Sequence, residues 1–76
     1  MRKIFPVSCK ILAGVFQADG FRFVRQKGYH LIFTKTGIAR PLVIPMYDRI
    51  PVFVIKNHLR TAKMSRERYF ELLEKT

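Results

Sequence analysis

The chain has 76 residues, 49% of them apolar, with seven Phe and three Tyr; this bounds it to one domain, 1–76, near the lower limit for a core without staples, and excludes a disordered tail. Its single cysteine, Cys9, excludes an intramolecular disulfide and a zinc site built from Cys pairs, and fits a reducing, cytoplasmic setting. No apolar run approaches the ~18 residues of a membrane span, and the basic opening, broken by Pro6, is too short for a signal peptide.

The formal net charge of +10 is unevenly spread. Residues 1–63 hold twelve of the 15 bases and only two of the five acids, Asp19 and Asp48. In residues 64–76 the bases Arg66, Arg68 and Lys75 balance Glu67, Glu71 and Glu74. A basic surface attracts polyanions by counterion release and long-range steering. Nucleic acid is the expected partner, ahead of an acidic protein. A basic membrane helix fits less well, because the bases are spread over several elements.

The first expected helix spans 8–19, with Ser8 as its cap after Pro6. Ile11, Leu12, Val15 and Phe16 make its apolar face, Gly14 weakens it, and Gly20 stands where a left-handed C-terminal residue is wanted. Phe21 to Lys27 alternates aromatic and basic residues at its start and reads as a half-buried strand. Gly28 ends it. Tyr29 to Lys35 is a second strand, Thr36-Gly37 a turn, and Ala39 to Ile44 a third strand that Pro41 makes an edge or delays. Pro51 opens a second helix, 51–62, with Val52, Ile55, Leu59 and Ala62 as its apolar stripe and Lys56, Arg60 and Lys63 beside it. Ser65 caps a last short helix, Arg66 to Glu74, with Tyr69, Leu72 and Leu73 inward. The expected fold is α+β: an α-β-β-β-α order plus the short C-terminal helix, with a three-stranded antiparallel sheet covered on one face by helices and free on the other. Ile11, Leu12, Phe16, Ile55 and Leu59 are the expected core of the two longer helices.

Few residues offer chemistry. The two histidines are His30 and His58, the five acids are scattered singly, and no glycine-rich phosphate loop is present. An enzyme of this composition would work without a metal. His30 opens the second strand, close in sequence to Arg25, Lys27, Gly28 and Lys35. Histidine can take and return a proton near neutral pH. Here it could take the proton of an RNA 2′-hydroxyl while the bases meet the charge that develops on phosphorus. A structural histidine in a strand is the ordinary alternative. His58, at the margin of an apolar stripe, reads as structural or surface. Tyr29 and Tyr47 could stack bases or pack the core.

The segment Gly20-Phe21-Arg22-Phe23-Val24-Arg25-Gln26-Lys27-Gly28-Tyr29-His30-Leu31-Ile32-Phe33 resembles the HicA-type toxins of toxin–antitoxin pairs. The resemblance continues through Val43-Ile44-Pro45, Ile55 to Arg60, Met64-Ser65-Arg66 and Tyr69-Phe70. It implies a fold similar to double-stranded-RNA-binding domains. It also implies metal-independent cleavage of messenger RNA, in single-stranded form, with His30 matching the catalytic histidine and no small-molecule cofactor or membrane involved. A HicB-type antitoxin, bound over the active site, is the implied protein partner. Arg25, Lys27, Gly28, Tyr29, Lys35, Lys56 and Arg60 are the expected RNA-binding residues. Three positions depart from the family pattern: Tyr29 replaces a small Ser, Tyr47 occupies a position where many members carry His, and Lys63 stands where a helix-ending Gly is usual. The alternative reading is a non-catalytic RNA-binding module of the same fold; a third is a basic protein acting only through an acidic protein partner.

Overall fold

The computed structural model describes residues 2–76. Ser8 adopts an extended conformation and its hydroxyl accepts from the Ile11 amide, starting α1 (Cys9–Ala18). Asp19 ends that helix, and Gly20 follows at φ 99° as the left-handed residue that turns the chain into the sheet. Three strands follow: β1 (Arg22–Lys27), β2 (His30–Thr34) and β3 (Leu42–Pro45), antiparallel in the order β1-β2-β3. β3 begins directly after Pro41, the late start that proline imposes. It runs on through Pro45, beyond its expected end at Ile44. α2 (Val52–Ala62) begins after Pro51, and α3 (Arg66–Glu74) is capped by the Ser65 hydroxyl, which accepts from the Arg68 amide.

The helices cover one face of the sheet. Leu12, Val15 and Phe16 of α1, Phe33 of β2, Leu42 and Ile44 of β3, Ile55 of α2 and Tyr69 of α3 are each at most 2% exposed. Fully burying a side chain such as Phe16 or Leu12 is worth about 1.5–3 kcal/mol, so these few residues carry most of the hydrophobic stabilisation of a small domain. α3 closes on α1, and the Thr76 methyl lies 2.7 Å from where a Cβ on Gly14 would be, so glycine permits that approach.

Two expectations about burial are corrected. Ile11 is 40% exposed. The buried stripe of α1 is Cys9, Leu12, Ala13, Val15 and Phe16, and at about 100° per residue Ile11 falls outside it. β1 is not half-buried: all six of its residues are exposed. It is an edge strand, and its alternation is broken by a register shift between Phe23 and Arg25. A bulge of this kind puts an extra residue, Val24, into the strand and changes which neighbours share a face.

Candidate active site

Strand register assigns the two faces of the sheet. Residues directly opposite in a pair project to the same side. Phe33 pairs with Leu42 and Leu31 with Ile44, and these form the helix-covered side. Ile32 pairs with Val43 and His30 with Pro45, so these belong to the outer side. On β1, Arg22 pairs with Thr34, Arg25 with Ile32 and Lys27 with His30, so the three bases of β1 share the outer side with His30. Without the bulge at Val24, Arg22 and Arg25, three apart, would face opposite ways. The strand pattern signalled Arg25 and Lys27 but missed Arg22, because a bulge leaves no mark in so short a sequence.

The β1–β2 connection is two residues, Gly28-Tyr29. Gly28 has φ 59°, and Tyr29 is not among the positive-φ residues. Glycine at the first of two loop positions with positive φ there alone is the pattern of a type II′ hairpin turn. A Cβ on Gly28 would meet nothing within 4 Å, so backbone conformation, not crowding within the chain, selects glycine. The Gln26 side-chain amide donates to the Gly28 carbonyl at 3.1 Å and the Met46 amide to the Tyr29 carbonyl at 2.7 Å, bracing the turn from both sides. Tyr29 is 78% exposed at its tip. His30 follows, itself exposed.

The two histidines differ in what holds them. His58 sits on α2, its ring tilted against Phe16 with centroids 6.3 Å apart. Its Nδ1 lies 2.6 Å from the Val54 carbonyl oxygen and its Nε2 2.9 Å from the Val43 carbonyl oxygen. Both nitrogens thus face backbone carbonyl oxygens, one of its own helix and one of β3, and whichever carries the proton donates to its carbonyl. Of the two readings of His58, structural or surface, these contacts favour the structural one.

The remaining expected RNA-binding residues do not all converge. Lys35 lies at the far end of β2 from His30, five residues or about 17 Å away along an extended chain. Its Nζ donates to Asp19 Oδ2 at 3.1 Å and stands 5.6 Å from the centre of the Phe21 ring. Asp19 also accepts from Arg68 Nε at 3.1 Å. The Asp19 hydrogen bond, then that to Glu71, holds the Arg68 guanidinium above its usual range. Asp19 thus ties the end of α1 to the sheet and to α3. Lys56 and Arg60 are exposed on α2. At about 100° per residue Lys56 lies some 160° around the helix from His58, which faces β3, and Arg60 lies about as far. The α2 bases therefore belong to the outside of the helix layer. The structure brings Arg22, Arg25, Lys27, Gly28, Tyr29 and His30 together, and leaves Lys35, Lys56 and Arg60 apart from them.

Behind β1, on the helix side, lies an open groove of about 490 Å³. Phe23, Leu31 and Phe33 of the sheet, Ala13 of α1, and Met46 and Tyr47 of the following loop line it. Tyr47 is 54% exposed there and its carbonyl accepts from the Cys9 amide at 2.9 Å. Cys9 lies beneath, where burial pushes its thiol up, away from thiolate chemistry. Among the described residues no group of three or more His, Cys, Asp or Glu side chains could hold a metal ion, and no helix is long and apolar enough to cross a membrane.

A comparison with curated proteins gave no match. A family model described as HicA toxin of bacterial toxin-antitoxin matches residues 10–64. That stretch runs from the first turn of α1 through the whole sheet and the His30 hairpin to the end of α2. Family membership implies an antitoxin partner. With 55 of its 76 residues inside that match, spanning every element around His30, the chain belongs to the HicA toxin family of toxin–antitoxin pairs.

Proposed function

We propose that this toxin is a metal-independent endoribonuclease that cleaves messenger RNA in single-stranded form, with His30 as general acid–base, and that a HicB-type antitoxin silences it by covering the outer face of the sheet. The observation that carries the reading is the position of His30: exposed, directly opposite Lys27, and on one face with Arg22 and Arg25. His58, by contrast, has both ring nitrogens against backbone carbonyl oxygens.

The chemistry follows from that position. A neutral His30 imidazole takes the proton of a 2′-hydroxyl as its oxygen attacks the adjacent phosphorus. The new O2′–P bond forms and the P–O5′ bond breaks. The departing 5′-oxygen receives a proton, from the imidazolium or from water. The products are a 2′,3′-cyclic phosphate and a 5′-hydroxyl end. Arg25 and Lys27 face the phosphorane as its negative charge grows. Tyr29, at the tip of the turn, offers a ring on which a neighbouring base can stack. The type II′ turn leaves open space around Gly28 for the backbone of the RNA.

A second reading, a non-catalytic RNA-binding module, is favoured by Tyr29, which fills with a large exposed side chain the place of a small family Ser. Incubation of the purified protein with single-stranded RNA in excess chelator separates the two. Cleavage with cyclic-phosphate ends supports the ribonuclease; intact RNA that is nonetheless bound supports the module.

A further inference from the structure

The sheet has two edges, and they are treated differently. β3 is four residues long, has Pro41 before it and Pro45 at its end, and has α2 beside it with His58 Nε2 at the Val43 carbonyl. These are the usual ways of closing an edge to further pairing. β1 is six residues long, contains no proline and, among the described residues, has no strand on its outer side; its bulge at Val24 interrupts the ladder there and leaves Arg25 to Lys27 regularly paired. Phe23 and Val24 are 51% and 52% exposed on it. Directly behind it lies the groove of about 490 Å³ with apolar walls. An unpaired backbone ladder beside an apolar pocket is the arrangement that accepts an extended peptide: the main chain gives hydrogen bonds and alternate side chains enter the pocket.

We propose that the free edge of β1 and the groove behind Phe23 form the docking site for an extended acidic segment of the partner protein, the antitoxin that family membership implies. The proposal rests on that membership and not on catalysis by His30. Charge decides among occupants. Arg22, Arg25 and Lys27 lie along β1, Lys10 stands at the rim of the groove, and the only acid there is Asp48. A second copy of this chain would bring the same bases against each other at a net charge of +10 each, and like charges opposite one another in a ladder destabilise it. An acidic strand meets those bases favourably, and its apolar side chains, on the side facing the helices, reach Leu31, Met46 and Tyr47. RNA has the charge but lacks the alternating amide and carbonyl groups that would satisfy the edge. This segment lies beside the His30 face, so a partner anchored here reaches across β1 to the outer side, joining a second contact to the first.

The test titrates the isotope-labelled protein with a capped nine-residue peptide that alternates Glu with Val, Ile and a central Phe. The expected result is amide shifts over residues 22–27 together with side-chain shifts at Leu31, Met46 and Tyr47. Two further peptides carry N-methyl groups on one or the other set of alternate residues. One of the pair should lose about tenfold or more in affinity, because only one set faces the ladder. This comparison needs no protein variant. Phe23→Asp should also lose the peptide while cutting RNA at the wild-type rate. Shifts confined to Ile32, Val43 and the rest of the outer face would overturn the proposal. So would equal binding of all three peptides, or self-association of the protein through β1 in sedimentation. His30→Ala should bind the peptide unchanged. A protein that binds the peptide but cuts no RNA loses the catalytic reading alone.

Discussion

Lys27 and His30 stand directly opposite each other across the β1–β2 hairpin, as the last and first residues of their strands. The two-residue turn between them leaves no slack, so the cation and the imidazole are held on one side of the sheet. His30→Ala should lower RNA cleavage by about 10²–10⁴-fold, the usual cost of removing a positioned acid–base. The side chain is exposed, so fold and RNA affinity should survive, as circular dichroism and a binding titration would show. RNA with a 2′-deoxy sugar at the cut site should stay intact. His30→Ala cutting as fast as wild type would place the active site elsewhere, with Tyr29 and Tyr47 the next residues to examine.

His58→Ala separates the two histidines. It removes the side-chain contact between α2 and the Val43 carbonyl of β3. Stability should fall by about 1 kcal/mol, the net worth of such a hydrogen bond, read as a lower Tm. Cleavage measured well below that Tm should match wild type.

Phosphate contacts can be counted by salt. Arg25→Ala and Lys27→Ala should each reduce the slope of log affinity against log salt by about one unit on a short single-stranded oligonucleotide. Lys56→Ala and Arg60→Ala, on the outside of the helix layer, should leave that slope unchanged. Lys35→Ala should lower the Tm instead, since Lys35 serves Asp19. An unchanged slope for Arg25 and Lys27 would mean that the outer sheet face does not carry RNA.

Tyr69 is fully buried, and its hydroxyl has no hydrogen-bond partner among the described residues. An unsatisfied buried hydroxyl costs stability, so Tyr69→Phe should raise it by about 1 kcal/mol, or about 4–8 °C in Tm for a domain this size. Burial pushes the Tyr69 phenol above its usual value of 10. The unfolded chain therefore loses this proton first, and stability falls as pH rises above about 10. Tyr69→Phe should remove that part of the alkaline loss, measured by denaturant melts at neutral pH and above pH 10. A lower Tm for the variant would reveal a partner for the hydroxyl.

Lys63 closes α2 at φ 55°, the only non-glycine residue in the left-handed region among those described. Its amide still reaches the Arg60 and Leu59 carbonyls, so the cap is formed at the expense of a strained side chain. Lys63→Gly should relieve the strain, less the entropy glycine adds to the unfolded chain, for a net gain of about 0.5–1 kcal/mol. Thermal melts check the sign, and RNA cleavage should not change.

Local signals were sufficient for much of this molecule. Ser8 and Ser65 cap where their position before an apolar run implies, Gly20 turns left-handed after α1, and Pro41 delays β3. Each depends on one residue and its chain neighbours, which a sequence states in full. The turn that joins Lys27 to His30 was legible for the same reason, since Lys27, Gly28 and His30 are neighbours in the chain. What tertiary structure alone decided involves residues far apart. Asp19 takes Lys35 away from any phosphate, and the side of α2 turned to β3 engages His58 and leaves Lys56 and Arg60 behind the helices. Ile11 lost its place in the core because the helix rotated Cys9 and Ala13 inward instead. The bulge at Val24 put Arg22 on one face with Arg25, and edge position exposed Phe23 in a strand that read as half-buried. Apolar composition states that a side chain can be buried, whereas only the packing of helices on a sheet of finite width determines which strand they leave uncovered.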